Sequence, residues 1–170
     1  AQLLDISKIY DAVPAARHRR TVRAPMREGA PDLCFIGRQE KWKGPDLFLE
    51  LCSQLPSEAF GEVRLYGPPV HLHGTDSMEE LRRLARYRSL DIVNEVVDAG
   101  RIIERMRDDR MVVVLPSRRD TFNLVAIEAL LSGCPAIVST RCGVCDFLDT
   151  AYPGIPYIKI DPDDLLSSYD

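Results

Sequence analysis

The segment Met111–Leu115 is a continuous run of β-branched and large apolar residues, Met-Val-Val-Val-Leu. A strand with one face in water alternates apolar and polar residues, whereas a strand buried on both faces is apolar throughout. The run therefore predicts a central strand of a parallel sheet that helices cover on both sides. Layers of this kind define the α/β class of folds.

Short apolar runs alternate with helical patterns through most of the chain. Predicted strands are Leu33–Ile36, Val63–Tyr66, a weak one around Ile92–Val93, Met111–Leu115, Ala136–Val138 and Tyr157–Ile160. Predicted helices begin at about Pro45, cover about 78–88 and 100–108, include Glu128, and begin again at Asp161–Leu166. This alternation predicts a parallel α/β sheet flanked by helices, whose ligands bind at the carboxyl ends of the strands.

Composition and charge exclude several classes of function. The chain has 170 residues, of which 45% are hydrophobic, and its formal net charge is −4. The size fits one domain, and the absence of a basic excess predicts no nucleic-acid partner. No apolar run approaches the ~18 residues of a membrane span. Five cysteines without a scaffold-like spacing favour reduced thiols in a cytoplasmic protein.

The two ends of the chain predict a piece of a longer protein, because it begins without Met and stops near a predicted helix start. We interpret residues 1–30 as a linker or edge segment and residues 31–170 as the ligand-binding domain. The basic cluster Arg17–Arg20 is interpreted as a solvated surface. Four residues are a short run, so a contact with a membrane surface or a phosphate stays the less favoured alternative.

Glu128 is the one charged side chain between Thr121 and Thr140. The helix around it is apolar nearly all round, which predicts a buried helix. A bare buried carboxylate costs several kcal/mol unless donors surround it. No cation lies near it in the sequence, so a ligand rich in hydroxyl groups is a candidate donor. The alternative is that buried backbone amides or water satisfy the carboxylate.

The loop Gly37–Gly44 follows the first predicted strand. Gly37 permits close approach of the backbone to a ligand, and the helix that begins at Pro45 points its free amides toward the same space. Arg38 and Lys43 add two cations, so the loop suits a phosphate or diphosphate; the alternative is that both side chains are solvated. The loop is not a Walker A motif, and the chain lacks the G-x-G-x-x-G motif of ordinary NAD and FAD folds.

The loop after Met111–Leu115 carries a second carboxylate, Asp120. Thr121 is the predicted N-cap of the following helix, so Asp120 lies at the start of the helix and Glu128 about two turns in. Eight residues at ~1.5 Å each separate the two by ~12 Å. The paired carboxylates of glycosidases lie roughly 5–9.5 Å apart. The two residues are therefore predicted to have different roles.

These motifs resemble those of the retaining glycosyltransferases of family GT4. The family's usual sequence is P-S-x-x-E-G-F-G-L-V-x-x-E-A, which contains an E-x7-E motif. The matching residues here are Pro116-Ser117, Asp120 in place of the first Glu, Phe122, Leu124-Val125, Glu128-Ala129, Gly133 and Pro135. The family's G-R-x-x-x-x-K-G is matched by Gly37-Arg38 and Lys43-Gly44, and its G-G-x-x-E is similar to Cys142–Asp146.

The resemblance covers roughly residues 33–148 and has clear departures. Thr121, Asn123 and Cys142 replace three glycines of the family pattern. The loop after the second strand has Gly67-Pro68-Pro69 in place of the common G-D-G-P. These departures leave the identity of the donor open.

The resemblance implies one half of a GT-B architecture, with a Rossmann-like parallel sheet flanked by helices. This half is the C-terminal domain, which binds a nucleotide-diphosphate sugar for hexosyl transfer. It implies that Glu128 binds the donor ribose, that Arg38 and Lys43 hold the diphosphate, and that Asp120 faces the sugar hydroxyls. The implied donor-binding residues are Gly37, Arg38, Lys43, Asp120, Phe122, Asn123, Leu124 and Glu128, and the implied catalytic residues are Asp120, Arg38 and Lys43. No metal or cofactor is implied. Without the acceptor-binding N-terminal half, the chain alone is expected to be inactive.

Two other functions stay open. One is another GT-B enzyme, such as a nucleotide-sugar epimerase, and the other is a non-catalytic α/β ligand-binding or scaffold module. The C-x-x-C spacing of Cys142 and Cys145 is a weak signal for a metal or redox site, because a structural zinc site needs four ligands and Cys134 is only a third. We interpret His71 and His73, together with the arginines Arg82, Arg83 and Arg86, as surface residues. Trp42 is interpreted as a loop-packing residue, with covering of a ligand as the alternative.

Overall fold

The computed structural model describes residues 29–72, 75–108 and 110–169. The strands are β1 (Asp32–Ile36), β2 (Val63–Tyr66), β3 (His71–Leu72), β4 (Thr75–Asp76), β5 (Ile92–Glu95), β6 (Met111–Leu115), β7 (Ala136–Ser139), β8 (Ile158–Asp161) and β9 (Asp164–Tyr169). The helices are α1 (Pro45–Gln54), α2 (Ser77–Tyr87), α3 (Ala99–Asp108), α4 (Leu124–Leu131) and α5 (Val144–Ala151). Short 3₁₀ turns cover Lys41–Lys43 and Ser57–Ala59.

Seven strands form one sheet in the order β5-β2-β1-β6-β7-β8-β9. All neighbouring pairs are parallel except β8 with β9. Strand β6 lies in the middle, and all five of its residues are buried. The predicted α/β fold with Met111–Leu115 at its centre is therefore confirmed.

Alternate residues of the central strands enter two separate apolar cores. On one side of the sheet, Leu33 and Phe35 of β1 pack with α1, α2 and Leu165 of β9. On the other side, Cys34 and Ile36 pack with α3, α4 and α5. Because both faces of β1 and β6 are covered, these strands carry no polar residue on either face, apart from Asp32 at the start of β1.

One predicted helix is wrong: Asp161–Leu166 does not begin a helix. Strands β8 and β9 form an antiparallel hairpin there, with Pro162 and Asp163 between them. The amide of Asp163 donates to Oδ1 of Asp161 at 2.9 Å, which closes a side-chain turn. This local bond, together with burial of Leu165, explains why the segment turns back.

The cap of helix α2 and two further elements also differ from the sequence-based predictions. Helix α2 is capped by Asp76, whose Oδ1 accepts from the amide of Met78 at 2.8 Å, and not by Ser77 as the capping-box spacing predicted. Ser77 Oγ instead accepts from the amide of Val70. Helix α5 was not predicted, and the loop after β2 contains the small β3–β4 hairpin.

Residues 1–28 lie outside the described residues, so the predicted linker and its Arg17–Arg20 cluster stay a prediction. Within the described ranges, no helix has the length and apolar content that a membrane span requires.

Candidate functional site

Two loops predicted to bind a ligand lie side by side at the carboxyl edge of the sheet. Strands β1 and β6 are hydrogen-bonded neighbours, with Leu33 opposite Val112. The first loop (residues 37–44) and the second loop (residues 116–123) therefore leave the same edge. They touch directly, because the amide of Arg118 donates to the carbonyl of Trp42 at 2.8 Å.

Glycines stand where the backbones of neighbouring loops meet. Gly44 has φ +74°, and a Cβ there would overlap the carbonyl oxygen of Pro116. Gly67 has φ +140°, and a Cβ there would overlap the carbonyl oxygen of Gly37. The loops after β1, β2 and β6 are thus packed backbone against backbone. This packing fixes how far from the edge of the sheet their side chains begin.

Lys43 and Asp120, which the sequence placed in separate loops, form an ion pair. Nζ of Lys43 lies 2.6 Å from Oδ2 of Asp120. The side chain of Asp120 is only 9% exposed, and that of Lys43 is 25% exposed. The structure therefore brings the predicted diphosphate-binding cation and the predicted sugar-binding carboxylate together at one point.

Arg38, unlike Lys43, is largely exposed and pairs with Glu40, not with Asp120. Its side chain is 62% exposed and lies 2.9 Å from Oε1 of Glu40. Glu40 is buried, and its other oxygen, Oε2, has no hydrogen-bond partner among the described residues. Arg38 is therefore held at its guanidinium by one carboxylate oxygen, and the rest of its side chain is open to solvent.

The helix that carries Glu128 is not buried all round, as the sequence analysis expected. Helix α4 buries Ala126, Ala129 and Leu130 against the sheet. Its opposite face is open, since Leu124 is 61% and Leu131 is 71% exposed. Apolar composition did not bury this face because α4 forms the outer layer and only one side of it meets the strands.

Glu128 lies on this open face, at the i and i+4 spacing from Leu124 that places two residues one above the other. It is only partly buried, and its carboxylate makes no hydrogen bond or ion pair with the described residues. Within the described ranges, backbone amides therefore do not satisfy this carboxylate, in contrast to that alternative of the sequence analysis.

The start of α4 lies next to the Lys43–Asp120 pair in the second loop. Its N-cap is Asn123, not the predicted Thr121, and the Asn123 side chain makes no capping bond. The cap side chain therefore does not occupy the first amides of the helix, and a helix start of this kind suits an anion. Phe122, just before the cap, is partly exposed and packs edge to face on Phe147, with ring centroids 5.4 Å apart.

Arg118 is a site residue that the sequence analysis missed. Its guanidinium donates two parallel bonds to Asp46, at 2.7 and 2.6 Å, and one to the carbonyl of Lys41 at 2.8 Å. The hydrogen bonds to Asp46 raise the pKa of Arg118 above its ordinary value. The only signal in the sequence was a cation in a loop after a strand, which does not identify a partner 72 positions away.

A cavity of about 540 Å³ lies between the first loop, the start of α1 and helix α2. Its lining residues are Gln39, Lys41, Pro45, Asp46, Ser77, Glu80, Leu81, Arg83, Leu84 and Tyr87. Gln39 is buried, and its amide donates to Oδ1 of Asn94 at 2.8 Å and to the carbonyl of Gly67 at 3.3 Å. Neither Glu128 nor the Lys43–Asp120 pair lines this cavity, so it is separate from the predicted donor site.

The weaker sequence signals have mixed outcomes. All five cysteines are buried free thiols, and burial followed by the charge of Asp120 raises the pKa of Cys142 to about 12. In the part of the chain that the structure describes, no group of three His, Cys, Asp or Glu residues is placed to hold a metal ion. Trp42 is half exposed, and both interpretations of it stay predictions. His73 lies outside the described residues, and Arg82, Arg83 and Arg86 are exposed as predicted.

Solved structures with a similar fold are glycosyltransferases of the GT-B type. Sucrose-phosphate synthase from Thermosynechococcus elongatus matches with a TM-score of 0.63 and 24% identity, over 80% of this chain and 33% of that chain. Anabaena HepE in complex with UDP-glucose matches with a TM-score of 0.61 and 20% identity, over 95% of this chain and 40% of that chain. This likeness confirms the predicted GT-B-type domain fold.

Residues 5–158 match the family described as "Family 4 Glycosyltransferase in conflict systems", and the chain belongs to this family. Among curated proteins, D-inositol 3-phosphate glycosyltransferase of Xylanimonas cellulosilytica is 28% identical over 144 residues. The match covers 83% of this chain and 34% of that protein. The chain thus spans about a third of the relative's length, and the predicted GT4 membership is confirmed.

Proposed function

We propose that this chain is the C-terminal, donor-binding domain of a retaining glycosyltransferase that transfers a hexosyl group from a nucleotide-diphosphate sugar. One observation carries the proposal: Glu128 presents a carboxylate on an open helix face, with no hydrogen bond or ion pair to the residues that the structure describes. The same helix begins beside the Lys43–Asp120 pair. A carboxylate in this position is matched by the two hydroxyls of a ribose, each of which donates a hydrogen bond.

Each residue of the two loops has a role in this proposal. The amides near Asn123 and Leu124 contact a phosphate at the start of α4, and Gly37 lets the backbone approach the donor. Lys43 and Arg38 hold the diphosphate and stabilise the charge that develops on it as the sugar leaves. Asp120 accepts hydrogen bonds from the sugar hydroxyls near the reacting carbon, and Phe122 borders the same space.

Formation of this complex requires Lys43 to change partner. In the free protein its ammonium is 2.6 Å from Asp120. A diphosphate offers more negative charge than one carboxylate, so Lys43 is expected to turn to the phosphate oxygens. Asp120 then becomes available to the sugar. Because Lys43 and Arg38 supply the positive charge, the proposed transfer uses neither a metal nor another cofactor.

A similar fold in complex with UDP-glucose makes UDP the first nucleotide to test. The chain spans about a third of its curated relative, so we place the acceptor site on a further domain of the complete protein. We also place the protein in the cytoplasm, where the five free buried thiols stay reduced.

The test is calorimetric titration of UDP, GDP and ADP into the 170-residue chain. We expect one of the three to bind in preference to the others, and Glu128→Gln to weaken that binding by ~1–3 kcal/mol, about five- to 150-fold. Glu104→Gln, which changes an exposed carboxylate on α3, is the matched control and should leave affinity unchanged. Unchanged affinity in Glu128→Gln would remove the ribose assignment. Failure of all three nucleotides to bind would favour the non-catalytic module.

A further inference from the structure

Arg118 connects the second loop to two residues of the first loop and to the first turn of α1. Its backbone amide donates to Trp42, and its guanidinium donates to the carbonyl of Lys41 and to both oxygens of Asp46. These acceptors lie on either side of Lys43 in the sequence, and Arg118 itself stands two residues before Asp120. The contacts therefore lie close in sequence to both Lys43 and Asp120, the pair that the proposed function uses. We name this set of contacts the Arg118 clamp.

The clamp has the geometry of a strong interaction. A bidentate arginine–carboxylate pair fixes both distance and angle, which a single lysine contact does not. The side chains of Arg118 and Asp46 are each about one-third exposed, at 35% and 33%, so solvent screens them only in part. Asp46 is also in the first turn of α1, which ties the clamp to a helix anchored in the core.

In the proposed function, the side-chain contact between Lys43 and Asp120 is lost when a donor binds. If Lys43 turns to the diphosphate, its 2.6 Å contact with Asp120 breaks. The clamp does not involve either of these groups, so it persists in the complex. It is then the side-chain link that keeps the cation and the carboxylate at a fixed spacing across the site.

We propose that Arg118 is a positioning residue that aligns Lys43 with Asp120 while the donor diphosphate is bound. This inference rests on the proposed function. It assigns no contact between Arg118 and the donor, since the guanidinium is occupied by Asp46 and Lys41. A purely structural role would predict lower stability and equal weakening of every ligand. A positioning role predicts selective weakening of ligands that carry the diphosphate.

The experiment compares UDP with uridine on the 170-residue chain. Arg118→Lys keeps the charge and loses the bidentate geometry, so we expect UDP affinity to fall by about tenfold, while uridine affinity changes by less than about twofold. Arg119→Lys is the matched control, because Arg119 is the exposed neighbour whose side chain makes no hydrogen bond or ion pair among the described residues. It should change neither affinity. Equal loss of UDP and uridine binding, or no loss of either, would overturn the proposal.

A charge swap and hydrogen exchange complete the test. The double variant Asp46→Arg with Arg118→Asp should recover part of the UDP affinity lost in Arg118→Asp alone, and no recovery would argue against the clamp. Hydrogen exchange without nucleotide should become faster in residues 38–44 and 117–123 of Arg118→Lys, with β1 and β6 unchanged. If the wild-type chain binds none of UDP, GDP and ADP, the proposed function fails, and if it prefers GDP or ADP, that nucleotide and its nucleoside replace UDP and uridine in the comparison. Faster exchange in both loops would still support Arg118 as the residue that couples them, and unchanged exchange would reject that as well.

Discussion

Gly44 illustrates how a single residue controls the spacing of the candidate site. Its place before Pro45 identified the helix start in the sequence, but not the reason for glycine. The structure supplies two reasons: a φ of +74°, and the carbonyl oxygen of Pro116 where a Cβ would stand. A left-handed backbone alone costs a non-glycine residue about 1–2 kcal/mol. Overlap with another loop's backbone adds to this, because neither backbone is free to move.

We therefore predict that Gly44→Ala lowers the free energy of unfolding by roughly 2–4 kcal/mol. Gly154→Ala is the matched control, since Gly154 also has a positive φ, +96°, but nothing lies within 4 Å of the added Cβ. Its expected loss is about 1–2 kcal/mol, the cost of the backbone conformation alone. Urea unfolding of both variants measures the difference, and equal losses would show that the contact with Pro116 is easily relieved.

Helix α4 shows which properties of a single element a sequence pattern can predict. Its existence, its stop near Gly133 and its position after β6 all followed from the sequence. The sequence did not show which side of the helix is buried, because leucines occur on both faces and no helical periodicity separates an apolar face from a polar one. The neighbouring strands decide this: they cover Ala126, Ala129 and Leu130 and leave Leu124, Glu128 and Leu131 outward.

Two adjacent leucines test that assignment. Leu130 is 7% exposed and Leu131 is 71% exposed. Leu130→Ala should lower the free energy of unfolding by about 2–4 kcal/mol, through lost apolar burial and the cavity left behind. Leu131→Ala should change it by less than about 0.5 kcal/mol. Chemical denaturation compares them, and a large loss in Leu131→Ala would mean that this face of α4 is covered in solution.

The hairpin of β8 and β9 is an element for which the local sequence pattern gave the wrong prediction, a helix. Asp161–Leu166 has acidic residues and a Pro before two leucines, which is typical of a helix start. The turn formed by Asp161 and Asp163, and the place available for Leu165 in the core beside α1, favour a strand instead. A segment this short has no clear helical periodicity, so its tertiary contacts decide its secondary structure.

At the scale of the whole molecule, the sequence identified most strands but not their spatial order. The order β5-β2-β1-β6-β7-β8-β9 places the ends of β1 and β6 next to each other, and with them Lys43 and Asp120. The candidate site therefore arises from strand adjacency. The family motifs identified the residues, and the sheet order explains why residues so distant in the chain lie together.

The 170-residue chain alone should bind UDP without transferring sugar. At a hundredfold its Kd, UDP should raise the free energy of unfolding by about 2.7 kcal/mol, and by about 1.4 kcal/mol if Glu128→Gln binds tenfold more weakly. Chemical denaturation with and without UDP measures the gain. Release of UDP from UDP-glucose with a natural acceptor present should stay at background, since we place the acceptor site on another domain. Efficient transfer by this chain would contradict that placement.

The sequence by itself determined the α/β class, the central strand β6, the two loops of the candidate site and the family motifs within them. These features depend on local composition and spacing, which a linear pattern records. Only the tertiary structure decided the Lys43–Asp120 pair, the Arg118 clamp, the backbone contact at Gly44 and the open face that carries Glu128. Each of these joins groups distant in the chain or depends on which side of an element its neighbours cover. Distance and burial of that kind exist only once the strands have been ordered in the sheet.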